Sequence, residues 1–84
     1  MNNQEIDALV QDLLTVKQVI LQLNFILSLI QAEIVRLSLE GNNQEEIDAL
    51  LQDYFAVKQA ILQATFILSQ IKSEIVRLST ENAA

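Results

Sequence analysis

Residues 5–40 read EIDALVQDLLTVKQVILQLNFILSLIQAEIVRLSLE, and residues 46–81 read EIDALLQDYFAVKQAILQATFILSQIKSEIVRLSTE. A shift of 41 residues superimposes the two segments, and 25 of the 36 aligned positions are then identical. A duplication of this kind indicates two copies of one structural unit that pack against each other. The chain has 84 residues, which is enough for one small domain.

Each copy carries apolar residues at alternating spacings of three and four, the heptad pattern of a coiled-coil helix. When the heptad positions are lettered a to g with a at Ile6, positions a and d form one apolar seam along each copy. Neither copy contains an internal glycine or proline that would interrupt a helix. The seam consists of Ile6, Leu9, Leu13, Val16, Ile20, Leu23, Leu27, Ile30, Ile34 and Leu37, and then Ile47, Leu50, Tyr54, Val57, Ile61, Ala64, Leu68, Ile71, Ile75 and Leu78.

The pattern predicts an all-α protein folded as a single long antiparallel helical hairpin. The first helix is expected over about residues 3–40, the turn over 41–43 and the second helix over about 44–81. Gly41 is the one glycine of the chain, and it suits the left-handed conformation that commonly ends a helix.

Polar residues predict how the helices begin and how they are aligned. Asn2 with Glu5, and Asn42 with Glu45, have the spacing of a capping box. In an antiparallel hairpin, residues whose numbers sum to about 84 should face each other. That alignment predicts three ion pairs between the helices: Asp12–Lys72, Asp7–Arg77 and Arg36–Asp48. Spacing along one helix also predicts ion pairs Glu33–Arg36 and Glu74–Arg77.

The chain carries more apolar surface than two helices can cover. Large apolar residues also occupy positions b, f and g, where two packed helices would leave them exposed, and such a surface is normally an interface. We therefore expect hairpins to associate into a multi-helix bundle. A dimer of four antiparallel helices is the expected assembly, and a trimer of six helices is the alternative. The predicted interface residues are Leu14, Leu21, Phe25, Ile26, Phe55, Leu62, Phe66 and Ile67.

Composition excludes many kinds of functional site. The chain has no Cys and no His, so it lacks thiolate and imidazole metal ligands and the usual catalytic pairs. Its net charge of −6 argues against a nucleic-acid partner, because phosphate binding depends on clustered Lys and Arg. We expect no enzyme activity, no cofactor and no bound metal.

The membrane alternative rests on two uncharged stretches, residues 18–32 and 59–71. Both are shorter than the roughly 20 residues that span a bilayer. The amino terminus is polar and acidic, unlike a signal peptide. The expectation is a soluble, cytoplasmic protein.

Two resemblances are visible in the sequence. Residues 46–51, EIDALL, resemble a segment near the start of flagellar motor switch proteins that binds a response regulator, but the match covers only six residues. The whole chain is similar to de novo designed helical-hairpin oligomers, with near-duplicate helices, strict heptads and one glycine turn. Only 19% of its residues are charged, whereas designed surfaces are usually dense in Glu and Lys.

Three functions remain open. The first is a structural protein that self-associates. The second is a binding module whose apolar groove accepts a partner helix or a hydrophobic small molecule, and the third is a membrane-associated hairpin.

Overall fold

The computed structural model describes residues 2–83, with the side chains of residues 3–81. Helix α1 spans Asn2–Glu40 and helix α2 spans Gln44–Ala83. The two helices pack antiparallel as one rod that measures 65 × 14 × 12 Å. The predicted all-α hairpin is confirmed. Its observed helices extend one or two residues beyond the ends expected from the heptads.

The a and d positions form the contact between the helices. All twenty of these side chains are half-buried or buried, and we call them the inner seam. Of the described residues, only Leu37 and Leu78 are buried outright, each with 3% of its surface exposed. They are equivalent positions of the two copies. So little burial follows from the shape, since two rods side by side enclose no interior.

A hydrogen bond shows the alignment of the helices. The side-chain amide of Gln31 donates to the hydroxyl of Tyr54 at 3.3 Å, and these residue numbers sum to 85. The alignment predicted from a short turn, a sum of about 84, is therefore observed.

The turn combines a left-handed glycine with a capping asparagine. Gly41 has φ = 80°, and its N–H donates to the carbonyl of Leu37 at 3.2 Å, which satisfies one free carbonyl at the end of α1. A Cβ at Gly41 would meet no atom within 4 Å, so it is the backbone conformation alone that favours glycine here. Asn42 is also left-handed, with φ = 59°, a conformation that the residue pattern did not predict.

The predicted capping box at Asn42 and Glu45 is wrong. Asn43 precedes α2 instead, and its carbonyl accepts the N–H of Ile47 at 2.9 Å. The Asn43 side-chain amide turns back and donates to the carbonyls of Leu37 and Gly41, at 3.3 and 2.8 Å. The side chain is therefore used to close the end of α1. The capping box predicted at Asn2 lies outside the described side chains.

Candidate functional site

Exposure of the large apolar side chains follows the heptad position. Leu51 at position e is 36% exposed and Ile26 at position g is 42% exposed, whereas Leu21 at b and Phe25 at f are 66% and 64% exposed. At about 100° per residue, e and g flank the inner seam while b, c and f point away from it. The apolar residues at b and f are thus the ones that the partner helix leaves open to solvent.

These apolar b and f residues, with a few Ser, Thr and Gln between them, form an uncharged strip on the outer edge of each helix, which we call the outer stripe. Between residues 14 and 39 on α1, and between residues 55 and 80 on α2, no charged residue occupies position b or f. The outer stripe consists of Leu14, Leu21, Phe25, Val35 and Leu39 on α1, and Phe55, Leu62, Phe66 and Val76 on α2.

All eight predicted interface residues are exposed, but they do not lie on one surface. Leu14, Leu21, Phe25, Phe55, Leu62 and Phe66 belong to the outer stripe. Ile26 and Ile67 occupy position g, about 100° or more away around each helix. Val35, Val76 and Leu39 were missing from the predicted set although their heptad positions, b and f, are the same as those of its members.

Charged residues are separated by heptad position, and so by face of the hairpin. The face formed by positions g and c has eight acids and two arginines, a net charge of −6. Every lysine is at position e. The acids at g are Glu5, Asp12, Glu33, Glu40, Glu46, Asp53, Glu74 and Glu81, the arginines at c are Arg36 and Arg77, and the lysines are Lys17, Lys58 and Lys72.

The arginines pair within their own helices, as the i,i+3 spacing predicted. The Nε of Arg36 donates to Glu33 at 2.9 Å, and its guanidinium also contacts Glu40. Arg77 makes the same contacts with Glu74 and Glu81 in the second copy.

The three ion pairs predicted between the helices are wrong: all the ion pairs among residues 3–81 lie within one helix. In an antiparallel pair, position e lies beside e and g beside g. Asp12 at g and Lys72 at e are therefore on opposite faces. The other two predicted pairs, Asp7–Arg77 and Arg36–Asp48, join positions b and c, which point away from the partner helix.

The hydrogen bond from Arg36 is the main cause of a lowered pKa at Glu33. Desolvation opposes it, and the positive charge of Arg36 adds a smaller lowering of the pKa. The pKa of Glu74 is lowered by Arg77 in the same way. The pKa values of both arginines are raised by their glutamates. These glutamates are consequently held in the ionised form, which suits an ion pair and not an acid catalyst.

Side chains at position e of both helices share one face, which we call the e face. One shallow groove there is lined by Gln31, Ile34, Val35, Leu51 and Tyr54. Both Gln31 and Leu51 are at position e. The groove is mostly apolar and open to solvent, so it could receive an apolar side chain from another molecule.

A second groove on the e face lies between Asn24, Leu27, Lys58, Ile61 and Leu62. The Asn24 amide donates to the carbonyl of Ile20 in its own helix at 2.9 Å. Its polar group is therefore used locally in the hairpin, and it makes no hydrogen bond across the seam.

Aromatic and cationic side chains stack between the two grooves. The Lys58 ammonium lies 5.2 Å from the centre of the Tyr54 ring, within the range of a cation–π contact. The Tyr54 and Phe55 rings meet edge to face, with centres 5.7 Å apart. These contacts position the Tyr54 ring, whose hydroxyl accepts the hydrogen bond from Gln31.

Within residues 2–83, no group of three or more acidic side chains is placed so that it could hold a metal ion. The carboxylates at position g are spread along the length of the rod, several of them paired with arginine.

Helix α1 meets the length and composition criterion for a membrane span over residues 3–40, with a mean hydropathy of 1.8 in its most apolar window. Core helices of soluble proteins meet the same criterion. In the observed alignment the uncharged stretches 18–32 and 59–71 lie side by side only over residues 18–26 of α1. That shared band is about 14 Å tall, compared with the roughly 30 Å of a bilayer core.

No family model, curated protein or solved structure matches the chain.

Proposed function

We propose that this protein is a structural element that associates with copies of itself by burying the outer stripe, and that it has no catalytic role. The observation that carries the proposal is the stripe itself: nine large apolar side chains, each more than half exposed, along two uncharged helix edges. The resemblance to designed helical-hairpin oligomers points the same way. The assembly is a homo-oligomer, and the dimer expected from the excess apolar surface is its smallest form.

Surface area supports self-association. A compact monomeric protein of 9.5 kDa exposes about 5,000 Å², whereas this hairpin exposes 6116 Å². The excess of roughly 1,100 Å² is comparable to the ~800 Å² that each partner buries in a standard interface.

The internal repeat supports a second copy of the chain as the partner. The outer stripes of α1 and α2 have the same residue at three equivalent positions: Leu21 and Leu62, Phe25 and Phe66, and Val35 and Val76. Two like stripes fit each other antiparallel, as the two like inner seams already do.

Sedimentation of the Phe25→Glu/Phe66→Glu variant tests the proposal. Burying one such ring contributes roughly 1.5–3 kcal/mol, so the variant should dissociate at concentrations where the parent protein is associated. Both rings are exposed in the hairpin, so circular dichroism should still show a helical protein.

Gln22→Glu/Gln63→Glu is the matched control. It adds the same two charges at equivalent positions of the two copies, but at position c and outside the outer stripe. It should sediment like the parent protein. A folded parent protein that sediments as a 9.5 kDa monomer at micromolar concentration would contradict the proposal.

A binding module is the second candidate function, and the apolar groove at Gln31, Val35, Leu51 and Tyr54 supports it. A partner helix seated there would contact position e, whereas self-association buries positions b and f. Leu51→Glu would therefore abolish partner binding and leave the oligomer intact. A membrane-associated hairpin is the third candidate, supported by the hydropathy of α1.

A further inference from the structure

The two apolar surfaces of each helix point in nearly opposite directions. The inner seam is centred between positions a and d and the outer stripe between b and f, so the two are about 150° apart around the helix axis. In a four-helix bundle the two neighbours of each helix are about 90° apart. Hairpins stacked as a four-helix dimer would therefore leave most of the outer stripe uncovered.

Charge also opposes stacking of hairpins through either the e face or the face formed by positions g and c. Stacking through the e face would bring Lys17, Lys58 and Lys72 toward the centre of the bundle. Stacking through the opposite face, formed by positions g and c, would bury acids such as Glu33 and Glu74. Removing such charges from water is costly, whereas the outer stripe between Leu14 and Leu39 and its counterpart on α2 contain no charge.

Both outer stripes tilt toward the same face of the hairpin. Position b lies on the e side of each helix, and b residues of both helices border the grooves on the e face: Val35 of α1 in one groove and Leu62 of α2 in the other. Each neighbour docked on a stripe is thus rotated slightly toward the e face. A row of hairpins joined in this way curves in one direction.

Resting on the proposed self-association, we propose that hairpins dock side by side, α1 of each against α2 of the next, and close into a single-layer ring. Every helix then has two antiparallel neighbours, one through the inner seam and one through the outer stripe. An angle of about 150° between neighbours closes with about twelve helices, or about six hairpins. With helices ~9 Å apart, opposite helix axes would be about 35 Å apart.

The ring has distinct inner and outer walls. The e face lines the inside, so Lys17, Asn24 and Lys58 face a water-filled lumen. The acids at position g lie on the outer wall. This placement keeps the charged residues of both faces in water. It covers the uncharged stripe where the stripes of two neighbours overlap, residues 14–29 of α1 against residues 55–70 of α2.

Native mass spectrometry gives the number of chains. The expected result is a single species of five to eight chains, appearing in electron micrographs as a hollow ring. A dimer or trimer would overturn the ring while leaving self-association intact, and a monomer would overturn both. A series of oligomers with increasing numbers of chains and no upper limit would also overturn the ring.

A disulfide ladder tests which edges meet. The parent chain has no Cys, and Gln11 and Ser73 are both exposed at position f with numbers that sum to 84. In one hairpin they are on opposite outer edges, too far apart for a disulfide. Between neighbours docked α1 to α2 they face each other. Oxidised Gln11→Cys/Ser73→Cys protein should therefore form covalent multimers up to the ring size found by native mass.

The single variants Gln11→Cys and Ser73→Cys are the matched controls. Each has one thiol per chain, so neither can extend beyond a covalent dimer. A double variant that stays monomeric on oxidising gels, while native mass shows an intact oligomer, would overturn the side-by-side arrangement.

Discussion

Arg36 and Arg77 each hold two glutamates of their own helix, one on either side. The cluster recurs in both copies at equivalent positions. Since its members are exposed and close in sequence, it supports the helix locally and contributes little to the packing of the hairpin. Its measurable signature is the titration of its carboxylates.

Nuclear magnetic resonance titration should show pKa values of Glu33 and Glu74 below the ordinary glutamate value, because each carboxylate accepts hydrogen bonds from arginine. A lowered pKa in the folded state means that the pairs stabilise the protein above the ordinary glutamate pKa. That contribution is lost as the pH falls through the lowered values. In Arg36→Gln, the pKa of Glu33 should rise toward normal while Glu74 is unchanged. A shift at both sites, or at neither, would contradict this assignment.

At the scale of the helices, stability depends on the inner seam. Its side chains are only half-buried except for Leu37 and Leu78. These two residues are the nearest that the hairpin comes to a core. Because the copies are almost the same, equivalent substitutions in α1 and α2 should have nearly equal effects.

Leu37→Ala and Leu78→Ala should each lower the free energy of unfolding by about 2–4 kcal/mol, since truncation of a buried leucine loses apolar contact and leaves a cavity. Urea denaturation at one fixed protein concentration would measure this. Gln22→Ala, at an exposed c position, serves as the control and should change stability by less than ~0.5 kcal/mol. Losses below 1 kcal/mol at both leucines would show that the inner seam is not the main source of stability.

At the scale of the whole molecule, the antiparallel arrangement limits the height of the uncharged band. Helix α1 alone is apolar enough to span a bilayer. Its partner places Lys58 beside residues 26–27 of α1, within the uncharged stretch. The hairpin therefore offers an uncharged band less than half as tall as a bilayer core.

We expect the protein to remain in solution without detergent and not to float with phosphatidylcholine vesicles in a density gradient. Burying Lys17, Lys58 and Lys72 in hydrocarbon would cost several kcal/mol in total even on insertion scales. A Lys58→Leu/Lys72→Leu variant tests the reason, since it lengthens the uncharged band and should shift protein toward the vesicles. Flotation of the parent protein would instead favour the membrane-associated hairpin.

The heptads by themselves determined the two helices and the inner seam, because spacings of three and four place those residues on one side of any helix whatever it packs against. The short turn determined the antiparallel alignment. Gly41 likewise marked the turn, because a left-handed backbone at that point favours glycine. Local ion pairs such as Glu33–Arg36 were predictable for the same reason: their geometry depends on one helix alone.

Only the tertiary structure decided which faces of the two helices lie together. Residue numbers matched Asp12 with Lys72, but antiparallel packing sets e beside e and g beside g, which separates these charges onto opposite faces. The sequence likewise grouped Ile26 with Phe25 as interface residues, and the packed hairpin places them on different surfaces. The path of the chain through the left-handed turn likewise decided that Asn43, and not Asn42, precedes α2. Spacing along one helix specifies what that helix presents, and the orientation of its partner specifies what those residues meet.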